Sequence, residues 1–267
     1  MSISHDPLAS EAVSWLQKEI QSTIKCRLDQ KGEKNYWREA LVGIANADDP
    51  LFLKLREVVG PEHSIPQDLL PEARSVIVFF LPFQKTLGRE NDQSTPFAAR
   101  SWAESYVTTN RLIQDISMYL KSFLEKEGHE TVITPATHNF DTEKLISGWS
   151  HKHIGYIAGL GTFGYHNLLI TSSGCCGRLG SLVTSMSLPS TKRPDREWCL
   201  VKAGRNCFAC VAKCKYDALH KTHYDRHACY EQCLRNDAHY DDLPLVDVCG
   251  KCACEVPCSY QIPTRLS

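Results

Sequence analysis

The sequence predicts an α+β protein in two parts, a mixed α/β domain over residues 1–192 and a small cysteine-rich domain over 193–267. Three observations predict it. Up to about residue 190, short β-branched runs alternate with stretches of helical periodicity. A polar, proline-bearing connection follows, Ser-Leu-Pro-Ser-Thr-Lys-Arg-Pro-Asp at 187–195. Ten of the thirteen cysteines then fall between Cys199 and Cys258, with only Cys26, Cys175 and Cys176 outside.

Each element has its own signal. Ala12, Val13, Leu16, Ile20 and Ile24 recur at helical spacing and predict a helix over about Ser10–Ile24. Lys25, Arg27, Lys31, Lys34 and Arg38, interleaved with Tyr36 and Trp37, form a basic stretch that reads as a solvated face or a phosphate contact. Ser75-Val-Ile-Val-Phe-Phe-Leu-Pro is a β-branched and aromatic run closed by Pro82, which predicts a buried strand. Residues from about Pro96 to Glu127 predict one long helix or two joined ones. Leu112, Ile113, Ile116, Tyr119, Leu120 and Phe123 would share its apolar face, and Gly128 would end it. Thr131–Thr134, Leu168–Thr171 and Leu179–Met186 are three further strand candidates, the last interrupted by Gly180. The 75 residues after 192 hold few apolar runs and need staples to fold, a role that metal clusters fill.

Composition narrows the function. A chain of 267 residues with 42% apolar and 23% charged residues can bury a sizeable core. Its net charge of −1 excludes a nucleic-acid binder driven by bulk positive charge. No run of 18 apolar residues spans a membrane, and the N-terminus lacks the basic and apolar regions of a secretory signal. The expected location is cytoplasmic, where so many thiols point to metal rather than to a disulfide framework.

The spacing of the cysteines sharpens this. Cys199-x7-Cys207-x2-Cys210-x3-Cys214 forms one group and Cys249-x2-Cys252-x-Cys254-x3-Cys258 another, with Cys229 and Cys233 between them. A [4Fe–4S] cluster takes four thiolates, and in two-cluster proteins the last cysteine of a run crosses to the other cluster. That logic gives Cys199, Cys207, Cys210 and Cys258 to a first cluster, and Cys214, Cys229, Cys249 and Cys252 to a second. Cys233 and Cys254 are spares or substitutes. A four-cysteine zinc site from Cys207-x2-Cys210 and Cys249-x2-Cys252 is the alternative. It uses only four of the ten cysteines, so the spacing favours iron–sulfur.

Ala158-Gly-Leu-Gly-Thr-Phe-Gly164, Asn167-Leu-Leu-Ile-Thr, Gly177-Arg-Leu-Gly-Ser-Leu-Val-Thr184 and the cysteine-rich tail follow in the order seen in epoxyqueuosine reductases. The resemblance extends to the reductive dehalogenases and covers about residues 70–260. It implies a nitroreductase-like, cobalamin-binding domain followed by a ferredoxin-like domain with two [4Fe–4S] clusters that passes electrons to the corrinoid. On that resemblance Gly159, Leu160, Gly161, Thr162, Gly164, Leu168 and Ser181 would line the corrinoid; the bland reading is a glycine-bearing turn between a helix and a strand. The family's Val-Asp-Ser-x-Pro-type segment, which carries a proton-donating aspartate, is not present. Asp141 is the nearest acid, and it also reads as a helix N-cap before Thr142. By that resemblance, a longer C-terminal extension that would grip tRNA is expected to be missing after the second cysteine group.

Trp149-Ser-His151-Lys-His153-Ile-Gly-Tyr156 stands just before the glycine turn. His153 and Tyr156 are candidate proton donors there, or solvated residues of a helix surface. Cys175-Cys176 reads as a turn position or a reactive thiol. The expectation is therefore an oxidoreductase that reduces a small organic substrate through two [4Fe–4S] clusters and cobalamin, fed by an external low-potential electron donor, with Tyr156, His153 or Asp141 giving the proton. Epoxyqueuosine reduction in tRNA and non-catalytic electron transfer are the alternatives.

Overall fold

The computed structural model describes residues 7–32, 34–135 and 138–264. Residues 1–6, part of the segment in which no secretory signal is expected, lie outside the described residues. The elements run α1 (Pro7–Lys31), β1 (Leu41–Asn46), α2 (Leu51–Val58), α3 (Pro66–Leu69), β2 (Ser75–Pro82), α4 (Lys85–Gln93), α5 (Arg100–Lys126) and β3 (Thr131–Ile133). They continue with β4 (Phe140–Asp141), β5 (Ile146–Ser147), α6 (His151–Ile157), β6 (Gly161–Phe163), β7 (Leu169–Thr171), β8 (Gly177–Thr184), α7 (Ala209–Lys213), α8 (Arg226–His239) and a 3₁₀ turn at Lys251–Ala253.

An antiparallel sheet in the order β1-β2-β8-β3 is the spine. All eight residues of β2 are buried, because its alternating side chains enter two different cores. Ile77, Phe79 and Leu81 pack with Leu16, Ile20 and Ile24 of α1 and with Leu112, Ile113 and Ile116 of α5. Val76, Val78 and Phe80 pack with Phe52 and Leu55 of α2 and with Ile154 and Ile157 of α6. Burying each of these large side chains stabilises the fold by roughly 1.5–3 kcal/mol. The architecture is a sheet between two helical layers, within the α+β class.

The segment expected to be helical from about Pro96 to Glu127 is one helix, α5, and the strand expected to break at Gly180 runs unbroken through β8. A side chain at Gly180 would meet the ring of Phe79, so the glycine lets that aromatic lie across the strand. The basic stretch is neither a solvated face nor a phosphate contact throughout. Arg27 is buried and paired with Asp115. Arg38 donates to the carbonyls of Phe83 at 2.9 Å, Ser173 at 2.6 Å and Tyr260 at 3.3 Å, clamping the end of the sheet to the tail.

The tail joins the larger core through Tyr240, Val246, Val248, Ala253 and Cys254. Buried polar groups fix its register, since each needs a partner once out of water. Asn91 donates to the Cys249 carbonyl at 2.9 Å and accepts from the Ala99 amide at 3.0 Å. Asn236 of α8 accepts from the Ala98 amide at 3.0 Å and donates to the Val248 carbonyl at 2.6 Å. Lys251 donates to the carbonyls of Asn91 and Ser94. Asp225 caps α8 by accepting from the amides of His227 and Ala228.

Candidate metal centres and the adjoining cavity

The short helix α7 carries Cys210 and is followed by Cys214, the 3₁₀ turn carries Cys252, and α8 presents Cys229 and Cys233 one turn apart. Cys199, Cys207, Cys210 and Cys258 line one cavity, closed on its other sides by Tyr165, His166, Phe208 and Pro257. Burial, with the neighbouring sulfurs of Cys258, Cys199 and Cys207, pushes the Cys210 thiol up to about 12. A thiol raised in this way is stored protonated, and a cation that binds it releases that proton. That donor set fits a thiolate-bound cluster.

Cys214, Cys229, Cys249 and Cys252 form the second neighbourhood. Burial together with Cys229 and Cys214 pushes the Cys249 thiol up to about 12. Burial and the sulfurs of Cys249, Cys229, Cys210 and Cys214 raise Cys252 well above its ordinary value. Cys229 is held down at about 6, first by a hydrogen bond from Cys233, then by one from Tyr224 and by the nearby Lys152. Of the spares, Cys233 bonds Cys229, whereas Cys254 is fully buried and accepts from Asn91 at 3.5 Å. Cys175 adds a further buried sulfur, its Sγ lying within 4.8 Å of both Cys258 Sγ and a ring nitrogen of His166.

Between α5, the start of β8 and the tail lies an open cavity of about 360 Å³, near the small end of the range for ligand pockets. Its walls include Trp102, Tyr106, Phe140, Leu168, Arg178, Tyr230, Asp247 and the thiols of Cys175, Cys176, Cys233 and Cys249. Tyr106 donates to Asp247 Oδ1 at 2.8 Å. The Arg178 guanidinium lies 4.2 Å from the centre of the Tyr106 ring, and its buried Nε has no hydrogen-bond partner among the described residues. Burial lowers the pKa of Arg178, opposed by Tyr106 and Asp247.

The proton donors expected from the sequence do not line this cavity. Asp141 is exposed, and its Oδ1 accepts from the amides of Glu143 and Lys144, which lowers its pKa and commits it to a turn rather than to a helix cap. Its neighbour Phe140 enters the cavity instead, as strand alternation requires. His153 bonds Ser150 at 2.7 Å and lies against Phe163, and burial holds it down at about 4, helped by Lys152 and His63. Tyr156 packs beside the same ring. His151 is no solvated residue either, since it bonds Ser181 Oγ at 3.0 Å and the Pro135 carbonyl at 2.7 Å.

Burial holds His151 down at about 4. The folded-state pKa lies below the unfolded value of about 6.5, so the unfolded chain binds more protons between these two pH values. Stability present above about pH 6.5 is expected to be lost as pH falls towards 4, by up to about 1.4 kcal/mol per pH unit for this group. Urea unfolding at a series of pH values checks this, and His151→Gln should flatten the slope.

The residues assigned to a corrinoid by resemblance do not form an open cradle. Leu168 is the one that lines the cavity. The spaces beside Gly159 and Gly161 are taken by the carbonyls of Lys192 and Ile170, and that beside Gly164 by the His166 ring. Leu160 is buried in the smaller core, and Thr162 accepts from the Trp198 amide at 2.9 Å. Ser181 is fully buried and accepts from Trp149 at 2.9 Å. A corrinoid, far larger than a drug-sized molecule, does not enter the cavity whole.

Tyr106, Arg178 and Asp247 are functional candidates that periodicity and spacing missed. They come from three segments far apart in sequence. Arg178, the one charged residue in the strand Gly177–Thr184, was the available signal.

Among the described residues no helix is long and apolar enough to cross a membrane. No protein-family model and no curated protein matches the sequence. Among solved structures, a selenomethionine-labelled epoxyqueuosine reductase aligns with TM-score 0.57 at 16% identity, covering 95% of this chain and 68% of its own. The catabolic reductive dehalogenase NpRdhA aligns with TM-score 0.52 at 13% identity, covering 79% of this chain and 28% of its own. The chain has the fold that epoxyqueuosine reductases and reductive dehalogenases share.

Proposed function

We propose that the protein is an iron–sulfur oxidoreductase, cytoplasmic, that reduces a small organic molecule held in the 360 Å³ cavity. One observation carries the reading. Cys249, a member of the second thiol group, forms part of the wall of the same cavity that presents Tyr106, Arg178 and Asp247. We assign Cys199, Cys207, Cys210 and Cys258 to one [4Fe–4S] cluster and Cys214, Cys229, Cys249 and Cys252 to the other, within a tail domain that begins near residue 192. When bound, such clusters supply single low-potential electrons.

The chain's own residues do the rest. Arg178 orients an electron-rich or anionic group of the substrate, and Trp102 and Phe140 exclude water from it. Reduction by two electrons consumes two protons. Tyr106 gives one from its hydroxyl, the Arg178 cation over its ring stabilises the phenolate left behind, and Asp247 relays the replacement from water. The second proton comes from water, and an external low-potential donor returns both electrons. No step is routed through a corrinoid.

Metal analysis of protein purified without oxygen and offered cobalamin tests the reading. About eight iron atoms per chain with a broad absorption band near 400 nm, and no cobalt, are expected. Zinc in place of iron after anaerobic reconstitution overturns it. Uptake of about one cobalt per chain would instead restore the corrinoid that the resemblance implies. Intact clusters without turnover of any substrate would leave an electron carrier, and reduction of epoxyqueuosine in tRNA would move the substrate to nucleic acid.

A further inference from the structure

His166 follows the glycine-bearing turn, and its imidazole is 4% exposed. Its two ring nitrogens face different partners. The Leu168 amide donates to Nδ1 at 3.1 Å, so Nδ1 carries the lone pair and the proton of the neutral ring sits on Nε2. Nε2 lies 3.4 Å from Sγ of Cys258, within reach of a nitrogen–sulfur hydrogen bond. The turn is shaped around this ring. A Cβ at Gly164 would occupy the ring's place. Asn167 takes a left-handed φ of 61°, and Asn167 N–H to Gly164 O at 3.0 Å and Gly164 N–H to Leu168 O at 2.8 Å close the loop. On its other side Cys258 is fixed by its carbonyl, which accepts from the Cys175 amide at 2.9 Å.

We infer that His166 tunes the first cluster, its Nε2–H donating to the Cys258 thiolate and raising that cluster's reduction potential. This rests on the iron–sulfur reading and deepens it. When the cluster takes one electron from an external donor, the added negative charge spreads over iron, sulfide and thiolates. A donor aimed at one thiolate favours the more negative, reduced form. The glycine motif therefore makes room for a side chain of its own chain, and its product is a placed hydrogen-bond donor. His166 is a positioning residue and touches no substrate.

Dithionite titration of the anaerobically reconstituted full chain, followed by electron paramagnetic resonance, tests it. His166→Ala is expected to lower the potential of one cluster and leave the other unmoved, with iron content unchanged. The expected shift is about tenfold in the reduced-to-oxidised ratio at fixed potential, equivalent to about 59 mV for one electron. His166→Gln, which keeps an N–H donor, should recover part of it, and Gly164→Ala, which displaces the ring while keeping the histidine, should reproduce it. Unchanged potentials in His166→Ala at full iron content overturn the inference. Should His166→Ala fail to hold iron, unchanged potentials in Gly164→Ala overturn it instead. Wild-type protein that takes up no iron overturns the iron–sulfur reading as well, and the iron assay shows this before any potential is measured.

Discussion

Replacing Cys207 and Cys210 together by serine is expected to cut bound iron from about eight atoms per chain to about four. Replacing Cys249 and Cys252 should do the same, and the quadruple variant should hold almost none. The expectation follows from the grouping of the thiols. Cys207 and Cys210 share a cavity with Cys199 and Cys258, while Cys249 raises Cys252 and both are raised by Cys229 and Cys214. A cubane that loses two of four ligands is lost whole, whereas its neighbour keeps all four. Iron analysis with electron paramagnetic resonance of the reduced protein reads the result. Loss of all iron from either pair would show one interdependent site, and full retention in either would show that these cysteines are not the ligands.

Gly174→Val is expected to destabilise the fold by about 3 kcal/mol or more, and to take the iron of the first cluster with it. Gly174 has φ 85°, and a Cβ there would fall among the Ser259 carbonyl and the Tyr260 amide, backbone atoms that no rotamer change can move. The next two amides, Cys175 and Cys176, donate to the carbonyls of Cys258 and Ser259 at 2.9 and 3.0 Å. Pushing the tail away from Gly174 therefore moves the backbone that carries Cys258. Gly204 supplies the control. It has φ 80° with nothing within 4 Å of a built Cβ, so Gly204→Ala should cost only the left-handed strain, about 1–2 kcal/mol. Denaturant unfolding and iron content, measured on both variants, separate the steric effect from the conformational one.

Local pattern made parts of this fold legible. The run from Val76 to Pro82 is apolar throughout because both faces of its strand are covered, and a fully buried strand reads as a continuous run. Strand β1 was not read, because Gly43 and Ala45 give Leu41–Asn46 little β-propensity and its pairing with β2 is what makes it a strand. The concentration of ten cysteines in the tail was legible because it is a count along the chain. The cavity was not. Tyr106 sits in α5, Arg178 in β8 and Asp247 in a loop after α8, and only the tertiary fold brings the three together. His151 and Arg38 were misjudged for a related reason. A polar side chain looks solvated in sequence until its partners in the fold, the Pro135 carbonyl for one and the Ser173 carbonyl for the other, are known.

Of the thirteen cysteines, Cys26 on α1 is the one that stands exposed. A maleimide added to the native protein should find that sulfur first and the others only after the chain opens. The stretch of chain farthest in sequence from the tail thus offers a single chemical handle, through which a dye could report cluster loss or the protein could be wired to an electrode without touching a thiolate assigned to a cluster.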